Sequence, residues 1–427
     1  MSIASEIQRI QGNIASAYTA CNNKGATMPA TQNSANLATC IGSIPTGGGG
    51  STLITKNITQ NGTYNASSDN ADGYSSVTVN VSGGSFTGIN REVVNGVYKA
   101  PETSFTWSLP STATEVGSNG LLYAFYGCTG LTGALDLSSL TTVGSSALAY
   151  AFYNCTGLTS VDLSSLTTVS NSQALYHAFF NCTGLTSVDL SSLTTVGISA
   201  LNYAFNGCSN LTSVDLSSLT TVSGSKALQN AFYNCTGLTG ALDLSSLTTV
   251  SGSQALQYAF QNCTGLTSVD LSSLTTVSGT QALHSAFYGC TGLTSILFTN
   301  LQTIGENTSS TNYGQFTQCF NNCNNLTSIT FPKLEKIYCT GGTTTSYGTF
   351  ANNNKVQKMY FPKLDTITYG TGASATNQNA CKNIFNGCSA LTELHFGAAN
   401  QAAIEATAGY STAWGRGAGN VTIYFDL

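Results

Sequence analysis

Two kinds of hydrophobic spacing alternate along most of this chain, and each predicts its own element. In residues 266–271, the apolar Val269 and Leu271 flank the polar Asp270. This period of two is typical of a short strand that buries one face. The segment recurs many times, so we expect one strand per recurrence, with the strands side by side, parallel and about 4.8 Å apart.

The segment before each strand has a longer hydrophobic period. Leu256, Phe260 and Cys263 are spaced by four and three residues, and the other units repeat that spacing. Residues spaced in this way share one face of a helix, which predicts a short helical segment. Residues 274–277 add two more inward apolar groups, and Ser278 with the following glycine turns the chain toward the next unit.

The phenylalanine of this segment marks the repeat length. It recurs every 26 to 28 residues, at Phe125, Phe152, Phe179, Phe205, Phe232, Phe260 and Phe287. Self-similarity at such a period marks a solenoid, in which each unit buries its apolar face only by stacking on its neighbours. The sequence therefore predicts an α/β repeat solenoid of parallel strands and short helical segments.

These units resemble the BspA-like leucine-rich repeats, which also carry an AF-x-x-C-x-x-L core followed by a strand and a small-residue turn. The resemblance spans about residues 117–396. It implies a right-handed solenoid that serves display and binding rather than chemistry. The sequence departs from the pattern by placing Asp at the outward strand position and Ser-Ser after it, where Pro is common. Pro332 and Pro362 restore that proline in later units.

The composition excludes some function classes. Only 7% of the 427 residues are charged, and the formal net charge is −5. Thirteen Lys and Arg residues, with only Lys226 between Gly120 and Gly292, cannot build a stripe that follows nucleic-acid phosphates. Residues 2–18 alternate apolar and polar positions, so we expect neither a secretory signal nor membrane insertion.

The 14 cysteines do not indicate a disulfide framework. Seven of them occupy one repeat position, and we expect a column of buried, unpaired thiols that act as small hydrophobic groups. A zinc site is not expected, because the closest spacing, Cys319 to Cys323, has no histidine nearby. No cofactor is predicted. The seven are Cys128, Cys155, Cys182, Cys208, Cys235, Cys263 and Cys290.

The front of the chain predicts two modules. Residues 1–46 form a helical attachment and oligomerisation module, in which isoleucines spaced by four, three and four residues favour a trimer or larger assembly over a dimer. Residues 47–84 form a small β unit between glycine-rich joints, with a hairpin turn at Asn61-Gly62. The seam isoleucines are Ile3, Ile7, Ile10 and Ile14.

Residues 1–81 resemble the N-terminal regions of tail- and fibre-associated proteins of phages that infect gut Gram-positive bacteria. The matching phrases are IASAYTACNNKGATMPATQNSANLATCIGSIP and ITKNITQNGTYNASSDNADGYSSVTVNV. The resemblance implies that this end docks on a virion and that the solenoid faces outward. The remaining boundaries place an N-terminal cap at 85–116, the leucine-rich repeat solenoid at 117–396 and a C-terminal cap at 397–427.

An outward column of aspartates is the first candidate site. Three interpretations remain open: a hydrated acidic stripe that keeps the sheet soluble, a stripe that binds cations or sugar hydroxyls, and a glycosidase pair. The last is disfavoured, because identical surroundings give no reason for one carboxyl to act as acid and another as base. The column consists of Asp136, Asp162, Asp189, Asp215, Asp243 and Asp270.

Two further columns flank the buried phenylalanine and are rich in aromatic and amide side chains. Aromatic rings beside Asn, Gln and Asp suit the apolar faces and hydroxyls of sugars, while the alternative is that the tyrosines pack between turns. The column before the phenylalanine is Tyr123, Tyr150, His177, Tyr203, Asn230, Tyr258 and Ser285. The column after it is Tyr126, Tyr153, Phe180, Asn206, Tyr233, Gln261 and Tyr288.

Enzymatic activity finds no support in the sequence. His177, His284 and His395 occupy unrelated repeat positions and are expected to be incidental, and no nucleophile elbow or nucleotide-binding loop is present. The leading hypothesis is a non-enzymatic phage tail or fibre component, made in the host cytoplasm, trimeric, docked on other virion proteins, and adhesive to host glycan or protein. The alternatives are a BspA-like bacterial surface adhesin and a structural or decoration protein of a virion.

Overall fold

The fold comes from a computed structural model, which describes most of the repeat region and several shorter segments. The described residues are 53–58, 73–79, 93–94, 97–98, 106–109, 111, 113–305, 314–339, 349–369, 381, 383–407, 410–416 and 420–427. The predicted helical module and Ile3, Ile7, Ile10 and Ile14 lie outside these residues.

Four strands precede the repeats: β1 (Leu53–Ile58), β2 (Gly73–Val79), β3 (Val93–Val94) and β4 (Val97–Tyr98). Strands β3 and β4 pair antiparallel. Strands β1 and β2 pair in parallel, and the predicted hairpin turn at Asn61-Gly62 lies outside the described residues.

Each repeat contributes one longer strand to a surface that we call the front face. These strands are β5 (Thr106–Ser108), β7 (Gly133–Asp136), β9 (Leu158–Asp162), β11 (Ser187–Asp189), β13 (Ser213–Val214), β15 (Thr239–Asp243), β17 (Gly265–Asp270), β19 (Ser295–Leu297), β21 (Ser328–Thr330), β23 (Lys358–Phe361), β25 (Glu393–Phe396) and β26 (Thr422–Phe425). From β7 onward they run parallel in hydrogen-bonded groups of four, three and four strands, while β5 pairs with β2.

A second, shorter strand per repeat builds the side face. These strands are β6 (Glu115–Val116), β8 (Thr142–Val143), β10 (Thr168–Val169), β12 (Thr195–Val196), β14 (Thr221–Val222), β16 (Thr249–Val250), β18 (Thr276–Val277), β20 (Thr303–Ile304), β22 (Lys336–Cys339) and β24 (Thr366–Tyr369). The eight from β10 to β24 form one continuous parallel sheet, and β6 pairs with β8. The parallel strands and solenoid architecture expected from the sequence are confirmed.

The register places equivalent residues of successive repeats opposite each other. Asp162 pairs with Asp189, and Asp243 pairs with Asp270. The pairing of β15 with β17 shifts by one residue between Gly240 and Ala241, which pair with Leu266 and Ser268, and the φ of Gly240, 77°, lies in the left-handed region that glycine adopts without strain. The pairing of β7 with β9 shifts in the same way between Gly133 and Ala134. In both pairs of strands the aspartates stay opposite each other.

The segment predicted as helical is a series of turns, so that prediction is wrong. No helix interrupts residues 113–305. Three residues per repeat have a left-handed backbone, for example Gln254, Tyr258 and Asn262 with φ between 57° and 61°, and a left-handed residue every fourth position cannot continue an α-helix. Alternate backbone N–H groups instead donate to the next repeat, as from Phe260 to the Ala286 carbonyl at 2.8 Å.

The core is a set of columns that run the length of the stack. The seven repeat phenylalanines are at most 4% exposed, and neighbouring rings lie 5.2–5.6 Å apart. Trp107 on β5 covers the first ring at 4.8 Å. Trp414, within the 3₁₀ segment Tyr410–Gly415, lies 6.0 Å from Phe385 at the other end. The 3₁₀ helix Ala398–Asn400 and helix α1 (Gln401–Glu405) complete that end.

The thiol column is confirmed and has an added role. All seven cysteines are buried and form no disulfide. From Cys155 onward, each thiol donates a hydrogen bond to the carbonyl of the phenylalanine one repeat earlier, as from Cys208 to Phe179 at 3.1 Å. The sequence prediction treated these thiols only as small hydrophobic groups. A single disulfide among the described residues, Cys339–Cys381, joins the end of β22 to a later turn and was not predicted.

Candidate functional site on the front face

Each aspartate of the front face holds the turn that follows its strand. The Oδ1 atom accepts the backbone N–H of the serine two residues later, at 2.8–3.0 Å, in all six repeats. Short polar side chains favour such turns because they bond their own backbone. The turn needs a side-chain oxygen that accepts this hydrogen bond, which explains why aspartate recurs at this position. The turn hydrogen bond uses only one of the two carboxylate oxygens.

Four of the six aspartates border one groove. The groove crosses β9, β11, β13 and β15, at the place where β13 and β15 do not pair, and has a volume of about 590 Å³. Serines and aspartates alternate along its walls, and Val214 is only half-buried in its floor. We call it the serine–aspartate groove: Ser160, Asp162, Ser187, Asp189, Ser213, Asp215, Ser217 and Asp243. Asp136 and Asp270 are outside its lining.

The serines also affect the electrostatics of the column. The hydroxyl of Ser217 donates to Asp215 at 2.7 Å, and this bond, with the Ser217 backbone N–H, lowers the pKa of Asp215. Ser138 lowers the pKa of Asp136 in the same way. Both bonds favour the charged form, so these carboxylates are acceptors at neutral pH and not proton donors.

The predicted aromatic columns meet in one patch on the turn segments. Tyr123, Tyr150, His177 and Tyr203 stack in succession, with centroids 4.5–4.9 Å apart. In the neighbouring column, Tyr126, Tyr153 and Phe180 stack at 4.6–4.7 Å. The two stacks touch, for example at 6.0 Å between Tyr150 and Tyr153. All seven side chains are half-buried.

This stacking restricts what the tyrosines can do. Both faces of Tyr150 and of Tyr153 are covered by rings of neighbouring repeats, so a sugar cannot lie flat against them and meets only ring edges and hydroxyls. Tyr258 and Tyr288 have other partners: Tyr258 contacts the ring of His284, and the Tyr288 hydroxyl accepts a bond from Asn322. Sugar binding by Tyr123, Tyr126, Tyr150, Tyr153, Tyr203, Tyr233, Tyr258 and Tyr288 stays a prediction.

Two of the three histidines lie inside the turn segments. Burial lowers the pKa of His177 and of His284 to about 4. The Nδ1 atom of each has no hydrogen-bond partner among the described residues. Both rings are therefore neutral at pH 7 and act as packing groups.

The third histidine lies within a cluster of aromatic and charged side chains. His395 lies on β25, between the rings of Tyr360 and Tyr424, each at 4.6 Å. Its Nδ1 lies 3.0 Å from Asp426 and its Nε2 lies 3.2 Å from Glu393. We call Lys358, Tyr360, Glu393, His395, Tyr424 and Asp426 the C-terminal cluster. Its signal in the sequence was the replacement of Ser and Asp at the outward strand positions.

No helix in the described part of the chain is long and apolar enough to cross a bilayer. No group of three or more His, Cys, Asp or Glu residues there has the arrangement of a metal site.

Comparison with known proteins identifies the repeats. A family model described as "BspA type Leucine rich repeat region" matches six copies, at residues 121–254, 225–315 and 255–408, together more than half of the chain. No curated protein matches.

Solved structures of leucine-rich repeat proteins also align. A leucine rich cell surface protein from Faecalibacterium prausnitzii is 18% identical, with 69% of this chain and 88% of that chain covered and a TM-score of 0.25. A leucine-rich repeat protein from Bacteroides ovatus is 19% identical, with 75% and 92% covered and a TM-score of 0.22. An internalin from Listeria monocytogenes is 17% identical, with 73% and 79% covered and a TM-score of 0.27.

Proposed function

Since this chain belongs to the BspA type leucine-rich repeat family, we propose that it is a non-enzymatic adhesion protein whose front face binds a surface glycan. The observation that carries the proposal is the serine–aspartate groove. Asp162, Asp189, Asp215 and Asp243 are brought together there by four successive strands.

The groove chemistry favours hydroxyl-rich ligands. Each carboxylate keeps one oxygen outside its turn hydrogen bond, and each neighbouring serine can donate or accept. Groups of this kind repeat at the strand spacing of about 4.8 Å. A row of equivalent acceptors suits a polymer with equivalent hydroxyls, and the absence of Lys and Arg from the groove lining disfavours phosphate or sulfate groups.

The test uses the full-length chain, labelled with a fluorophore, on a glycan array and on intact bacterial and animal cells. In the variant Asp189→Asn/Asp215→Asn, the amide oxygens preserve the turn hydrogen bonds and two charges are removed from the groove. We expect at least a tenfold loss of binding. The matched control is Asp136→Asn, which changes the same turn position outside the groove and should bind like the wild type.

Two results would contradict the proposal. One is a wild-type chain that binds no glycan and no cell above background. The other is equal loss in the groove variant and in the Asp136→Asn control, which would assign the effect to turn stability.

A second candidate is a phage tail or fibre component that carries the same adhesive solenoid. It is favoured by the phrases in residues 1–81 and would be attached to a virion through a trimeric N-terminal module. Immunolabelling of intact bacteria and of purified phage particles distinguishes the two candidates. Label on the bacterial surface supports the adhesin, and label on the particle, with trimers by light scattering, supports the tail component.

A further inference from the structure

The last three strands of the front face carry side chains unlike those of the earlier repeats. The register aligns Lys358 with Glu393 in one column, and Tyr360, His395 and Tyr424 in the next. In most of the repeats up to β17 the same two columns hold serine and aspartate, as at Ser268 and Asp270. The front face therefore changes its chemistry toward the C-terminal end.

The centre of the C-terminal cluster is fixed in place. His395 is only 9% exposed, with a tyrosine ring on each face and a carboxylate at each nitrogen. Lys358 forms an ion pair with Glu393 at 2.9 Å, which lowers the pKa of Glu393. The imidazole, the ammonium group and the two carboxylates are thus each held by at least one neighbour, so little ordering of these groups remains to be done when a ligand arrives.

The outer parts of the cluster are open to solvent. Tyr424 is 38% exposed, and the side chains of Asp426 and Lys358 are 50% and 41% exposed. A network that only closed the end of the stack would need neither an exposed ring nor exposed polar groups beside it. An aromatic surface next to fixed acceptors and a donor is the combination found in binding sites for amphipathic ligands.

We propose that the C-terminal cluster is a separate binding site for a neutral sugar. The apolar face of a pyranose ring would pack on Tyr424, and its hydroxyls would donate to Asp426 and accept from Lys358. Two carboxylates face one lysine and one histidine within the cluster, so no large excess of either charge is left for an ion. This balance favours an uncharged ligand over a phosphate, a sulfate or a metal cation.

The site is independent of the serine–aspartate groove. The nearest groove strand, β15, is five strand positions before β25, which corresponds to roughly 24 Å along the stack. One monosaccharide cannot contact both. Ligand binding at one site can therefore be measured in a variant in which the other site is disrupted.

The test is saturation-transfer NMR on the full-length chain with four probes: the methyl glycosides of glucose, galactose, mannose and N-acetylglucosamine. We expect transfer to at least one probe, with at least a fivefold loss in Tyr424→Ala and a smaller loss in Asp426→Asn. The matched control is Tyr338→Ala, which removes a half-exposed tyrosine from β22 on the side face. Thermal unfolding of each variant checks that the fold is retained.

The outcomes separate this proposal from the function proposed above. A saturation-transfer signal that is kept in Asp189→Asn/Asp215→Asn and lost in Tyr424→Ala supports sugar binding at the C-terminal cluster. This conclusion holds whether or not the serine–aspartate groove binds a glycan. Absence of transfer to all four probes in the wild type overturns it. Equal signals from Tyr424→Ala and Tyr338→Ala overturn it as well.

Discussion

The first six repeats and the C-terminal turns share a core but differ at the surface. Between Ala124 and Val277, the front face repeats aspartate at one position and serine, or alanine in two repeats, at another, and Lys226 is the only Lys or Arg. After Ser295, the same positions hold Leu297, Thr330, Tyr360 and His395 in succession. The buried rings and thiols continue through both regions, from Phe125 to Phe385 and from Cys128 to Cys388.

The difference separates structural requirements from surface chemistry. In the first region the aspartate is needed for its turn, so its recurrence is not by itself a sign of binding. In the second region Tyr360, His395 and Tyr424 occupy that position and contact each other across strands. Side chains that fold the repeat and side chains that could serve a ligand can therefore be distinguished within one chain.

The largest predicted effect concerns the thiol column. Burial raises the pKa of Cys208, Cys290 and Cys388 from 9.0 to about 12, and raises that of five other thiols. Above pH 9 the unfolded chain loses these protons while the folded chain keeps them, so stability falls as pH rises toward 12. At pH 10 the three thiols account for about 4 kcal/mol, and the five others add to it.

Guanidinium denaturation at pH 7, 9 and 10 measures this loss. Cys208→Ala should have a smaller difference between pH 7 and pH 10 than the wild type, by about 1 kcal/mol, because one titrating group is absent. A free energy of unfolding that stays constant from pH 7 to pH 10 would contradict a buried, protonated column.

If the first six repeats and the C-terminal turns share one core, a buried ring in either region should contribute about equally to stability. Phe205 is fully buried between Phe179 and Phe232, and Phe331 is fully buried between Phe298 and Phe361. Replacing either by alanine should lower the free energy of unfolding by about 3–5 kcal/mol, through lost burial and a cavity. The half-exposed Phe180→Ala serves as the control and should lose much less. A large loss at Phe205 with a small loss at Phe331 would show that the C-terminal turns are packed differently.

The disulfide belongs to the C-terminal region alone. Cys339–Cys381 closes a loop with a sequence separation of 42. Cys339→Ser/Cys381→Ser should lower the free energy of unfolding by about 2–4 kcal/mol, because the unfolded chain regains freedom. Adding a reductant to the wild type should give the same loss, and adding it to the double variant should change nothing. An unchanged denaturation midpoint in the reduced wild type would contradict a stabilising disulfide.

The buried columns of phenylalanine and cysteine were predicted correctly from the sequence, because the hydrophobic spacing alone determines which side chains face inward. The spacing of Phe260 and Cys263 requires both to face inward, and they do. The same spacing could not distinguish a helix from a series of turns, since both bring every third or fourth residue to one side. The third left-handed position of each repeat holds only Gly or Asn, from Gly127 and Asn154 onward. These are the residue types that adopt this backbone at least cost, and they were the available signal.

The sites were predictable only where the repeat is regular. Aligned copies showed that Asp162 and Asp189 would be neighbours, but not that pairing stops between β13 and β15 and opens a groove. His395 could not be placed opposite Tyr360 and Tyr424, because longer turns obscure the repeat there. Glu393 and Asp426 are 33 residues apart in sequence, and the fold brings their carboxylates to the two ring nitrogens of His395.

The smallest predicted effect tests the structural role of the aspartates. Asp215→Ala removes two hydrogen bonds, from the backbone N–H and the hydroxyl of Ser217, and should cost about 1 kcal/mol of stability. Asp215→Asn keeps an acceptor oxygen and should cost less than about 0.5 kcal/mol, because this site is exposed. Chemical denaturation of both variants measures the difference. If both variants lost the same free energy of unfolding, the charge of Asp215 and not its turn hydrogen bonds would account for its contribution to stability. The distinction between the folding role and the binding role of the aspartates would then fail.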